Sequence, residues 1–155
     1  MTNPKDPSDI RNWQRRPDGI TTSGKLNPHD PARLSSIGVK HVINLALDDH
    51  PEALPSEREL LEEAGIRYTH IPVPFDAPRI GHVRAMHDAI KAANGPVHVH
   101  CIMNYRVTAF FYILDRESGV PEPEARARMA EVWDPLGSSH NSAQSWKELI
   151  IRQRN

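Results

Sequence analysis

Residues Gly95 to Leu114 read GPVHVHCIMNYRVTAFFYIL: a short β-branched run, the single cysteine of the chain, then a longer apolar run headed by Arg106. "PVHVH" has the length and branching of a strand, and "RVTAFFYILDRES" is long and apolar enough for a central buried helix. Cys101 therefore falls where a strand hands over to a helix. In a parallel sheet, ligands collect at the carboxyl ends of the strands, where a loop feeds the next helix.

The flanking segments repeat the alternation. "DPARLSSIG" reads as a helix with Asp30 as N-cap, Pro31 at the first helical position and Gly38 past its end. "VKHVINLAL" follows as a buried strand. "SERELLEEAG" carries a capping box of Ser56 and Glu59 before the strand "IRYTHIPV". From Arg79 to Ala93, Ile80, Val83, Met86, His87 and Ile90 recur at helical spacing. "PEPEARARMAEVW" and "SAQSWKELIIRQ" supply two further helices. The expected architecture is α/β, a three-layer sandwich with a small, mainly parallel central sheet flanked by helices.

At 155 residues, 38% hydrophobic and 25% charged, the chain suits one domain with one core. Residues 19–155 are expected to form it. Residues 1–18, polar and proline-bearing, read as a candidate flexible arm that Trp13 could pin to the body. A net charge of -1 gives no reason to expect nucleic acid or an anionic membrane as partner. The longest apolar run, Val107 to Leu114, is far short of the ~20 residues that span a bilayer. With one cysteine and no apolar leader at the N-terminus, a cytoplasmic location is expected.

At the junction, the amides of Ile102, Met103, Asn104, Tyr105 and Arg106 lack upstream helical partners, so a curled loop would turn several N–H groups toward an anion. The Arg106 guanidinium can add a two-pronged fork to a tetrahedral oxyanion, which a lysine cannot. The same field favours the thiolate of Cys101, since a cysteine at a helix N-terminus beside a cation has a pKa of ~3.5 to 7.5 instead of about 8.5. An anion cradle and a nucleophile would then coincide, a combination suited to attack on phosphorus with formation of a phosphocysteine. The leaving oxygen needs a proton, and Asp76 in "IPVPFDAPR", just past a strand end, is the candidate acid.

These residues resemble the cysteine-based protein tyrosine phosphatases, specifically the compact dual-specificity type and its bacterial relatives. "TTSGKLNPHDPARLSSIGVKHVINL", "GIRYTHIPV", "FDAPR", "VHVHC" and the arginine-headed apolar helix come in that family's order, over about Ile20 to Leu114. The resemblance implies Cys101 as nucleophile, Arg106 as phosphate clamp, Ile102 to Arg106 as cradle, His100 as a residue orienting the loop and Asp76 as general acid. It implies a phosphorylated protein or small phosphomonoester as partner, and no cofactor. The family's loop places five residues between cysteine and arginine, whereas "CIMNYR" has four. Where a hydroxyl residue normally follows the arginine stands Val107, with Thr108 one place later.

The four-residue spacing is also similar to the loop of rhodanese-like sulfurtransferases, and a phosphate-binding pseudophosphatase is a third reading. An arsenate reductase would need partner cysteines, which this chain lacks. His98 and His100 share a strand face at a spacing that could ligate a metal, but no third ligand is placed and no metal site is expected. Tyr105 could stack on an aryl substrate or pack internally. Asp48, Asp49 and His50 read as a solvated loop, and Arg79 as a surface residue or an anion contact near the acid loop.

Overall fold

A computed structural model describes residues 5–153. Five strands, β1 (Gln14–Arg15), β2 (Thr21–Ser23), β3 (His41–Asn44), β4 (Arg67–His70) and β5 (Val97–His100), form one sheet in the order β1-β2-β5-β3-β4. β1 runs antiparallel to β2, and the other pairings are parallel. The helices are α1 (Asp30–Ser36), α2 (Glu57–Glu63), α3 (Ile80–Ala92), α4 (Tyr105–Glu117), α5 (Glu122–Ala130) and α6 (Gln144–Arg152).

The pleat sends alternate residues to opposite faces, and each face has its own cover. Ile43, Val97, Val99 and Cys101 join the larger apolar cluster with Met86 of α3, Phe110 of α4, Met129 of α5 and Trp146 of α6. Val42 joins the smaller one with Leu34 of α1 and Leu61 of α2. The result is the expected three-layer α/β sandwich. α4 is the central helix, buried from Arg106 to Ile113 without a break. No helix among the described residues is long and apolar enough to cross a membrane.

Several local expectations change. β1 and β2, of 2 and 3 residues, are too short to leave a periodic signal. Asp30 is the first helical residue of α1, with His29 at the cap position. Its carboxylate accepts the Asn27 N–H at 2.7 Å and pairs with Arg33 at 2.9 Å, closing the turn before the helix. Ser56 makes no side-chain cap to α2, because its backbone is left-handed (φ 56°) and not in the extended region from which a cap hydroxyl reaches back.

Of the segment read as a candidate arm, residues 1–4 lie outside the described residues, as do 154–155 at the other end. The rest of that segment carries β1, the buried Ile10 and Arg16. The Arg16 guanidinium grips Asp115 of α4 through bonds of 2.6 and 3.2 Å and lies 4.1 Å over the Phe111 ring.

Candidate active site

In the register of the parallel strands, Ser23 and Asn44 flank His100, and His70 flanks Asn44, so one rung closes the carboxyl end of the sheet. Cys101 is the next residue. Its N–H still donates to the Ser23 carbonyl at 3.3 Å, which carries strand pairing up to the sulfur. The chain then curls through Asn104, buried and left-handed at φ 68°, into α4. In a loop without glycine, asparagine is the side chain that tolerates this conformation best. Glycine is required opposite: a Cβ on Gly24 would lie 2.5 Å from the Ile102 carbonyl oxygen.

Every carbonyl from Cys101 to Tyr105 has a partner. The Cys101 oxygen lies 3.1 Å from Nδ1 of His100 and the Ile102 oxygen accepts the Lys25 N–H at 2.9 Å. The Met103 oxygen accepts Nδ2 of Asn12 at 2.9 Å. The Asn104 oxygen accepts the Thr108 hydroxyl at 2.9 Å, and the Tyr105 oxygen accepts Nε1 of Trp133 at 2.8 Å. In a trans peptide the C=O and the following N–H point in opposite directions, so holding these five carbonyls outward turns the amides of residues 102–106 the other way. Among the described residues those amides have no hydrogen-bond partner.

Arg106 is 6% exposed. It donates from Nη1 to the Val73 carbonyl at 2.8 Å, while its Nε is buried without a partner among the described residues. A cleft of about 330 Å³ is lined by Cys101 and Arg106 together with Leu47, Phe75, Met103 and Tyr105. His50, read as part of a solvated loop, is exposed and also lines it. Cys101 borders the cleft from beneath its surface at 0% exposure. Tyr105 both lines the cleft and stacks on Trp133, with centroids 4.7 Å apart and planes at 10°.

His100 bridges two elements behind the loop. Its Nε2 lies 2.7 Å from the Glu57 carboxylate at the start of α2. Burial pushes its pKa down, but the Glu57 carboxylate outweighs this and raises it. His98 is held well below the ordinary range by burial and by the neighbouring His100, and bonds Thr21 and Ser23 through its two ring nitrogens. Among the described residues no group of three or more His, Cys, Asp or Glu is arranged to hold a metal ion.

Thr108 steadies the loop through the Asn104 carbonyl. Asp76 is exposed on the turn beside Phe75 and does not line the cleft. Its carbonyl accepts the Ser145 hydroxyl at 2.9 Å, and the Phe75 carbonyl accepts Nε1 of Trp146 at 2.8 Å, so α6 holds the turn in place. Arg79 is an exposed cap of α3 away from the cleft lining. Sequence reasoning missed Asn12, Leu47, Phe75, Glu57 and Trp133. None has a local signature, because each meets the loop or the cleft from elsewhere in the fold.

Residues 14–115 match the family model of the phosphatase-like domain of beta-lactamase hydrolase-like proteins. Among solved structures, a candidate phosphatase (DUF442) from Shewanella putrefaciens CN-32 is 30% identical, with a TM-score of 0.78 over 94% of this chain and 93% of that one. TpbA of P. aeruginosa, a cysteine-to-serine variant in complex with phosphotyrosine, is 22% identical with a TM-score of 0.69, covering 100% of this chain and 99% of that one. Kinase-associated phosphatase, with its catalytic-site cysteine replaced by serine, shares the fold at 12% identity and a TM-score of 0.68, over 87% of each chain. No curated protein sequence matches this chain.

Proposed function

The chain belongs to the phosphatase-like domain family of beta-lactamase hydrolase-like proteins, cysteine-dependent hydrolases of the protein tyrosine phosphatase type, and from that premise we propose that it hydrolyses phosphomonoesters through a phosphocysteine on Cys101. The observation that carries the reading is the loop's division of labour: outward carbonyls engaged, inward amides of residues 102–106 unengaged, and the buried Nε of Arg106 left for an oxyanion.

In this mechanism the amides and Arg106 hold the non-bridging oxygens of the phosphoryl group, and their bonds strengthen as charge spreads over those oxygens in the transition state. The Cys101 sulfur attacks phosphorus, the ester P–O bond breaks and the leaving oxygen takes a proton. Asp76, one residue past the cleft-lining Phe75, is the acid in this reading. It gives that proton to the leaving group, and afterwards takes one from the water that hydrolyses the phosphocysteine. Leu47, Phe75, Met103 and Tyr105 give the cleft an apolar wall, which favours an aryl leaving group. Phosphotyrosine in a protein, or a small aryl phosphate, is the proposed substrate. A thiol that must stay reduced suits the cytoplasm.

The test is hydrolysis of a panel of phosphorylated small molecules and phosphotyrosine peptides in EDTA by wild type and Cys101→Ser together. Aryl phosphate hydrolysis by wild type, lost in the variant, is expected. Retained activity in the variant excludes the mechanism, and oxyanion binding without any turnover makes the protein a pseudophosphatase.

A further inference from the structure

We propose that residues 10–13 form a strap that shapes the anion loop, with Asn12 as a positioning residue for the phosphatase reaction; the proposal rests on the phosphate-binding reading of that loop. The segment lies ahead of the region matched by the family model, which begins at residue 14. Its hold on the loop is reciprocal. Nδ2 of Asn12 donates to the Met103 carbonyl at 2.9 Å, and Nδ2 of Asn104 donates back to the Asn12 carbonyl at 2.8 Å.

Both asparagines sit at positive φ, 51° for Asn12 and 68° for Asn104, so two left-handed residues 92 positions apart clasp each other. Such backbones cost free energy and persist where surrounding bonds over-determine them. The strap is anchored on either side of Asn12. Ile10 is buried with Leu26 and Leu34, and the Trp13 ring stacks on His98 at 5.2 Å. The Arg11 carbonyl accepts the Gly24 N–H at 2.7 Å, and its guanidinium lies 3.3 Å from Sδ of Met103 while pairing with Glu52 at 3.2 Å.

The consequence follows from peptide geometry. A Met103 carbonyl held outward by Asn12 directs the Asn104 N–H inward, toward the place an oxyanion would occupy. Phosphate loops rich in glycine can adopt such turns unaided, whereas "CIMNY" has no glycine and leans on an external donor. Asn12 touches neither substrate nor sulfur. It acts through Asn104.

Asn12→Gly tests this, because glycine keeps the left-handed backbone and removes the donor. Inorganic phosphate is titrated into nitrogen-labelled protein, and the dissociation constant and the Asn104 amide shift are read with the melting temperature. Phosphate binding about tenfold weaker is expected, from loss of one hydrogen bond to the loop, with the Asn104 amide response reduced and melting nearly unchanged. Asn12→Asp, which keeps the size but turns an acceptor toward the Met103 carbonyl, should weaken binding at least as much. Wild-type phosphate affinity and Asn104 response in either folded variant would overturn the strap, as would unfolding of both. These readouts need no turnover, so a wild type that binds phosphate but hydrolyses nothing contradicts the phosphatase reading alone.

Discussion

Nε2 of His100 meets Oε2 of Glu57 at 2.7 Å, both side chains buried, while Nδ1 of the same ring lies 3.1 Å from the Cys101 carbonyl. One imidazole thus ties the start of α2 to the residue that carries the sulfur. A carboxylate beside a buried imidazole favours the charged ring, and here that preference exceeds the desolvation that opposes it.

The pair makes stability depend on pH in a stated direction. Because the folded pKa of His100 is raised, the stabilisation is fully present below the unfolded value of about 6.5 and is lost as pH rises through the higher folded value. Glu57→Gln should therefore lose about 2 kcal/mol near pH 6, the scale of a hydrogen bond to a charged group, and less in alkaline buffer. Urea unfolding of both proteins at the two pH values checks this. A difference that grows with pH contradicts it.

Asp115→Ala should be more damaging, because it takes the buried partner from the Arg16 guanidinium, whose side chain is 9% exposed, and leaves it only the more exposed Asp18 at 3.2 Å. Removing one partner of a buried ion pair costs about 3 to 5 kcal/mol. Thermal melting should show a large drop with the hydrolytic site chemically intact. A shift within a degree or two would mean that water replaces the pair without loss.

Arg106→Lys keeps the charge and loses the fork. Turnover should fall by about 100-fold or more, as when one oxyanion donor is removed, with phosphate inhibition weakened in parallel. Steady-state kinetics with inhibition by inorganic phosphate would show it, and near wild-type constants would remove Arg106 from the clamp role.

Asp76→Asn separates leaving groups. An acid matters most for a poor one, so hydrolysis of an alkyl phosphate should suffer more than that of an activated aryl phosphate, whose phenolate leaves unaided. Equal losses across the series would take Asp76 out of proton transfer.

How much of this could be read beforehand follows the reach of the interactions. β5, Cys101 and α4 were legible because a β-branched run and a long apolar run announce themselves locally. β2 was not, since the three residues of "TTS" carry no pattern until β5 pairs with them. The Ser56 capping box failed where a left-handed backbone overrode the motif. Tyr105 was undecided between substrate and packing, and it does line the cleft while stacking on Trp133. The four-residue spacing from cysteine to arginine departs from the five of the phosphatase loop and is similar to that of sulfurtransferases, yet the family match is to a phosphatase-like domain. Asn12 was beyond reach, for its partner Met103 lies 91 positions along the chain.

The most direct measurement is the mass of the protein quenched in acid during turnover of an aryl phosphate. A phosphoryl adduct that maps to the peptide containing Cys101 and is absent from Cys101→Ser, which also turns nothing over, is the predicted result. Steady hydrolysis with no adduct, continuing at the same rate in Cys101→Ser, would contradict it.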